Sequence, residues 1–463
     1  MYIASIFEQK CAEKRRHGPG KWDNTTILDG QLVKFQTKNH RSLRDEQELS
    51  FVAVGTENDA RLIHVGGIDE LILPVVALYG ANASGKSNVL DAISFGQRAV
   101  VLSQRNWEPD AGIARQPFGL RSSREEPSLY VFDIVLKDVR YQYGFSVDDN
   151  EIVEEWLHSW PHGRKQELYN RDQKVFEFGR NLRGENKAIE SLTRPNSLFL
   201  SAAAQNNHEE LQPVYEWFSM RLRVESSGLN WPSYLVPSLA FRNSTSGWWT
   251  QFAGEIASAE SMELRARVRA LLASSDLGIE DFRVEEERIP QPPRPGSEAR
   301  VQVRRRISFA HQSAEKAWLD FEQESTGTQM LVRLLPSILS LLETGGLLVL
   351  DELNSLHPML ALAIIQIFQD PKRNPHGAQL LFNTHDASLL GNLLSDPPPL
   401  RRDQVWLTEK DKEGASHLYP LTDYKPRASE NLERGYLQGR YGAVPFLGEV
   451  GWATAGATDE SST

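Results

Sequence analysis

The sequence predicts an α/β fold built on parallel strands, and three features predict it. An apolar run, Leu71 to Tyr79, leads into Gly80-Ala-Asn-Ala-Ser-Gly85-Lys86-Ser87 and then a helix-like stretch, Asn88 to Val101. Two further apolar strands, Leu347 to Leu350 and Gln379 to Phe382, flank a helix-like segment. Between these halves, residues 150 to 300 differ in composition, so one sheet is expected to be split in sequence around an insert.

Each element has its own warrant. Residues 1–30 combine Lys10, Lys14, Arg15, Arg16 and His17 with Gly18-Pro19-Gly20 and read as an irregular extension. The segment 31–150 forms a first lobe. Its strand-like runs at Leu32–Phe35 and Glu48–Val54 suggest a strand pair, and Ser128 to Val147 alternates apolar and polar residues about a turn, the pattern of an antiparallel hairpin. The segment 151–300 is predicted to be a mainly helical insert. It holds Trp156, Trp160, Trp217, Trp231, Trp248 and Trp249, helical periodicity near Met262 to Leu272, and a proline cluster from Ile289 to Gly296. A second lobe, 301–425, opens with a strand, Arg300 to Phe309, followed by a helix-like run from Glu324 to Leu342 that Pro336 should kink. Residues 426–463 form a tail whose last stretch, from 453, has the composition of a disordered segment.

Composition excludes several function classes. The 463 residues carry 51 basic and 62 acidic side chains, a net charge of −11, which argues against coating nucleic acid or an anionic membrane through bulk electrostatics. The lone cysteine, Cys11, permits neither an intramolecular disulfide nor a cysteine-based zinc site. No apolar run reaches the ~18 residues of a membrane span, and the N-terminus lacks the order of a signal peptide, so a cytoplasmic location is expected.

Four motifs carry chemistry. Gly80 to Ser87 is a complete G-x-x-x-x-G-K-S phosphate loop. Its backbone N–H groups, with Asn82, Ser84 and Asn88 on and beside the loop, and the positive end of the following helix suit phosphate. Lys86 is expected to pair with the β and γ phosphates and Ser87 to ligate Mg²⁺. The strand Gly345 to Leu350 ends in Asp351-Glu352, a Walker B arrangement in which the first carboxylate holds the metal and the second acts as general base. His385, just past the strand at Leu380–Asn383, suits a switch that meets the γ-phosphate. Glu324-Ser325-Thr326-Gly327-Thr328 is a helix start in the position of a signature turn.

A serine-glycine turn before Walker B and a histidine after it is the ABC order. With Phe35, Asn39-His40-Arg41-Ser42-Leu43, Ser197 to Ser201, Ser355-Leu356-His357-Pro358, Arg401 to Gln404 and Gly439 to Pro445, the sequence resembles the stand-alone ABC-like ATPases of bacterial anti-phage and toxin–antitoxin operons. These are related to the chromosome-maintenance (SMC) and OLD ATPases, and the resemblance runs from about residue 31 to 446. It implies a P-loop NTPase with an ABC-type split ATPase head, an antiparallel β subdomain and ATP and Mg²⁺ as cofactors. It implies that Lys86 and Ser87 contact phosphate and Mg²⁺, Asp351 the metal, that Glu352 and His385 are catalytic, and that Ser325 and Gly327 meet the γ-phosphate of a second subunit. Ser-Thr-Gly-Thr stands where the fuller signature reads Leu-Ser-Gly-Gly. Asn354 to Pro358 would be a dimer-contacting loop, and Gln116 is the candidate for the glutamine that links Mg²⁺ to the moving subdomain.

The function expected from this resemblance is slow ATP hydrolysis by a regulatory ATPase. It would assemble into a homodimer or higher oligomer through its heads and control a separately encoded effector, a nuclease or toxin, in anti-phage defence. The alternative is a DNA-binding SMC-like ATPase of repair or chromosome handling, for which Arg304-Arg305-Arg306 and the basic residues near Arg15 are the candidate contacts.

Overall fold

The computed structural model describes residues 28–55, 59–119, 122–225, 256, 262–274, 278–290, 301–311, 317–427 and 430–444. Most of the expected extension (1–27), Trp231, Trp248, Trp249, most of the proline cluster and the tail from Pro445 lie outside the described residues.

Three apolar runs become the centre of a six-stranded sheet. Its order is Leu222–Glu225, Leu347–Leu350, Gln379–Asn383, Val75–Gly80, Val405–Lys410 and Ser416–Pro420. All neighbours are parallel except the last pair. Val75–Gly80, Leu347–Leu350 and Gln379–Asn383 are buried along their whole length, as strands covered on both faces must be. Alternate residues of the first strand serve two cores. Val76 and Leu78 face the helix Lys86–Asn106, while Val75, Ala77 and Tyr79 face the helices Thr326–Thr344 and Pro358–Gln369. The two halves of the sequence interleave, because Val75–Gly80 lies between Gln379–Asn383 and Val405–Lys410.

The first core is closed by a seven-stranded antiparallel sheet in the order Val175–Phe178, Gln166–Asp172, Ile152–Trp160, Val139–Val147, Ser128–Leu136, Gln31–Lys38 and Gln47–Ser50. The predicted hairpin turns through Lys137 and Asp138, both left-handed at φ 48° and 61°, the geometry of a tight two-residue turn. The helix Lys86–Asn106 lies close against this sheet at Gly96, where an added Cβ would stand 2.6 Å from the Phe132 ring.

The segment expected to be mainly helical opens with three strands, Ile152–Trp160, Gln166–Asp172 and Val175–Phe178, before the short helices Asn186–Leu192, Phe199–Gln205 and Gln212–Glu216. The sheet therefore runs past residue 150 without a break. The reason is a polar residue on the buried face: Ile152, Glu155, Leu157 and Ser159 are the inward positions, so the apolar alternation that marks a strand is interrupted. Pro336 does not divide its helix, which runs from Thr326 to Thr344.

Glu155 ties these parts together. Fully buried, it accepts hydrogen bonds from Tyr143 Oη at 3.0 Å, Tyr169 Oη at 2.8 Å, and the N–H groups of Phe199 at 2.6 Å and Leu200 at 3.0 Å. Buried Arg171 stands 3.6 Å from the same carboxylate. Removing one member of a buried pair leaves an uncompensated charge, so Glu155→Ala is expected to destabilise the protein by about 3–5 kcal/mol. Chemical denaturation checks this.

A three-stranded sheet, Ile279–Pro290, Val301–His311 and Trp318–Asp320, packs on the far side of the helix Thr326–Thr344 through Val332, Leu335 and Leu339. Its register sets Arg304, Arg305 and Arg306 opposite Glu287, Glu286 and Glu285, and Arg305 Nε donates to Glu286 Oε1 at 2.8 Å. The basic run is thus matched by an acidic one on the neighbouring strand.

Candidate nucleotide site

The phosphate loop forms where the central strand ends and the chain must reverse into a helix. Gly85 caps that helix at φ 113°, and a Cβ there would stand 2.2 Å from Ser416 Oγ, so glycine is required for both backbone and space. Lys86 folds back over the loop, its Nζ donating to the carbonyls of Gly80 at 2.7 Å and Ala81 at 2.8 Å. Burial pushes its ammonium down to about 8, against the opposing pull of Asp351 and Glu352.

A set of serines and threonines holds the loop from below. Ser84 Oγ pairs with Thr408 Oγ1 at 2.6 Å, and Ser416 Oγ bonds the Ser84 carbonyl at 2.6 Å. Ser42 Oγ pairs with Ser416 Oγ at 2.7 Å and accepts from Asn88 Nδ2 at 2.5 Å. Around Ser42, His40 bridges Tyr130 Oη at 2.8 Å and Asp91 Oδ2 at 3.0 Å, and Arg41 pairs with Asp91 at 2.5 Å. Burial lowers the His40 pKa.

Asp351 arrives from the adjoining half of the sheet. Ser87 Oγ donates to its Oδ1 at 3.0 Å, across 264 positions of sequence. Its own N–H donates to the carbonyl of Glu225 at 3.1 Å, and the Glu225 carboxyl, pushed up to about 6 by burial, accepts from Ser337 Oγ at 2.8 Å. Glu352 is exposed and left-handed, at φ 61° and ψ 58°. His385 stands within the field of both Lys86 and Glu352; burial, then Lys86, lowers its pKa. Gly80, Ser84, Gly85, Lys86, Ser87, Asp351, Glu352 and His385 therefore share one locality at the ends of neighbouring strands. Asn82 is exposed on the loop, and Asn88 turns away toward Ser42.

Three predicted residues lie elsewhere. Ser325 is the exposed N-cap of the helix Thr326–Thr344, its Oγ accepting from Thr328 N–H at 3.2 Å, and Gly327 follows in the first turn. Gln116 contributes its carbonyl to Arg41 N–H at 2.6 Å while its side chain is exposed.

The sequence reading missed two residues. Asn383, 2% exposed, lies between Ser87, Asp351 and the Glu352 peptide, and its only signal was a polar residue ending a buried apolar strand. Tyr436, in the short helix Leu432–Leu437, sets its ring 5.4 Å from that of Tyr79. The described part of the tail is thus docked on the phosphate-loop strand.

The chain matches known proteins at two levels. No curated protein matches it significantly. Among solved structures it is similar to the SMC head domain from Thermotoga maritima, at 13% identity and a TM-score of 0.34, over 84% of this chain and 98% of that one. It is also similar to the Smc head domain with an extended coiled coil, bound to the C-terminal domain of ScpA, derived from Pyrococcus furiosus, at 12% identity and a TM-score of 0.37, over 88% and 98%. A family model described as "AAA domain, putative AbiEii toxin, Type IV TA system" matches residues 75–391. That match spans more than half of the chain, from the phosphate-loop strand to the turn beyond His385, and the chain belongs to this family of AAA-domain ATPases.

Proposed function

We propose that the protein binds and slowly hydrolyses ATP with Mg²⁺, and uses the bound nucleotide to assemble with itself and control a separate effector protein in anti-phage defence. The observation that carries the reading is the meeting of Lys86, Ser87, Asp351, Glu352 and His385, drawn from distant sequence, at one end of one sheet.

The donor set fits the cofactors. Ser87 and Asp351 offer oxygen ligands suited to a hard cation, and among the described residues no cluster of three or more His, Cys, Asp or Glu would hold a metal by itself. That suits Mg²⁺, which is commonly held by one or two protein oxygens together with substrate phosphates. When bound, the metal would neutralise charge on the phosphates. The residues of the chain would then divide the work. Lys86 supplies a fixed positive charge to the phosphates, Glu352 accepts the proton of the attacking water, and His385 contacts the γ-phosphate. Ser325 and Gly327, whose helix start is exposed, would complete the site of a second copy. The loop Asn354 to Pro358 would lie in the same contact. Its His357 caps the helix Pro358–Gln369, and Met359 beside it is 52% exposed.

The toxin–antitoxin setting of this reading is supported by the wording of the family description, while the separate effector, a nuclease or toxin, is the reading's own inference. The DNA-handling alternative has less support, because Arg304 to Arg306 face Glu287 to Glu285 in the register of their own sheet. The test is purification together with the product of the neighbouring gene, beside a phage-challenge assay. Association of the two proteins, and loss of phage resistance in Lys86→Ala, are expected. Failure to associate, with resistance intact in Lys86→Ala, overturns the regulatory reading.

A further inference from the structure

We propose that Asn383 is a positioning residue that locks the metal-side carboxylate and the general base into one rigid unit. The inference rests on the ATPase reading of the site.

Its side-chain amide makes three contacts from a buried position. Nδ2 donates to Asp351 Oδ1 at 2.5 Å and to Ser87 Oγ at 3.3 Å, while Oδ1 accepts the Glu352 N–H at 2.5 Å. The chemistry fixes which end of the amide faces which partner. An ionised Asp351 only accepts and a peptide N–H only donates, so a flipped amide would set acceptor against acceptor and donor against donor. Among side chains of this size, an amide is what serves an acceptor and a donor at once. Aspartate would lose the donor, and leucine would lose donor and acceptor alike, and with them all three contacts.

The contact to Glu352 has a further consequence. Glu352 is left-handed, a conformation that crowds the Cβ of any residue other than glycine and that its surroundings must hold in place. A directed acceptor at its N–H opposes relaxation of that peptide to an ordinary conformation. Relaxation would swing the Glu352 side chain away from the end of the strand, and with it the base. Asn383 thus acts on turnover through Glu352 and Asp351 and need not touch the nucleotide. Its strand, Gln379–Asn383, lies between those carrying Asp351 and the phosphate loop, so the amide occupies the one strand end that adjoins both.

The test compares Asn383→Leu and Asn383→Asp with the wild type and with Glu352→Gln. Three quantities are measured: steady-state ATP turnover, thermal unfolding, and hydrogen exchange of the Glu352 amide. For Asn383→Leu, kcat is expected to fall at least about tenfold with KM for ATP within about twofold, as when positioning rather than binding is lost. The Glu352 amide should exchange at least about tenfold faster without a general loss of protection. Asn383→Asp keeps the acceptor, so that amide should stay protected, while turnover falls because Asp351 loses its donor. Unchanged turnover in Asn383→Leu, unchanged exchange at Glu352, or a parallel loss of ATP binding and thermal stability in both variants overturns the proposal. If the wild type and Glu352→Gln turn over ATP alike, it is the ATPase reading that fails. The exchange result then still decides whether Asn383 holds the Glu352 peptide.

Discussion

Glu352→Gln is expected to bind ATP as the wild type does and to lose roughly 10²- to 10⁴-fold in turnover, the usual contribution of a general base. The substitution is narrow. Glutamine has nearly the same volume and leaves the left-handed backbone at residue 352 and its N–H bond to Asn383 in place. What changes is the ability to take a proton and the negative charge that bears on Lys86 and His385. Binding should survive because phosphate contacts come from the loop, Lys86 and the Ser87–Asp351 pair rather than from Glu352. Equilibrium binding of ATP beside steady-state phosphate release checks both halves. Turnover at the wild-type rate would remove Glu352 from the chemistry.

Lys86→Ala acts on the earlier step and is expected to abolish ATP binding at concentrations that saturate the wild type. The lysine is held by two loop carbonyls, so its loss removes both the charge and the contact that shapes the loop. The wild-type site also carries a pH signature. With its pKa pushed down to about 8, Lys86 loses its proton as pH rises through that value, whereas phosphate beside it favours the charged form. Bound protein then holds more protons than free protein above that pH, and by linkage the affinity for ATP must fall as pH rises. Titration calorimetry in buffers of different ionisation enthalpy should show proton uptake on binding near pH 8 to 9 and none near pH 6 from this group. An affinity that stays flat across pH 8 would contradict the placement of the lysine.

How much of this could be read from the residues depends on how local the determinant is. Strand, loop and helix around Gly80 to Ser87 are specified within one short stretch, so their order is legible, although the strand begins at Val75 rather than Leu71 and the helix expected over Asn88 to Val101 spans Lys86–Asn106. The strands at Leu347–Leu350 and Gln379–Asn383 were legible because burial on both faces makes them continuously apolar. Ile152–Trp160 was not, because a buried carboxylate satisfied by Tyr143, Tyr169 and two N–H groups looks polar in sequence and behaves as core in three dimensions. The serines under the phosphate loop were equally silent. Ser42 and Ser416 meet only after folding, and neither spacing nor composition marks a hydroxyl that will lie beneath a loop. Asn383 falls in the same class, visible as a strand end but not as a partner of Asp351.

The interleaved order of the parallel sheet carries a consequence for how the protein is made. Ser84 is supported by Ser416, 332 positions later, and Ser87 meets an aspartate that emerges from the ribosome 264 residues after it. Contacts of such sequence separation form slowly and late. A nascent chain that has displayed its phosphate loop still lacks the strand that carries Asp351, the amide of Asn383 and the hydroxyl beneath the loop. On the ATPase reading, the site is complete only in a molecule whose synthesis has passed Ser416, so a product truncated before that residue is expected to bind ATP poorly.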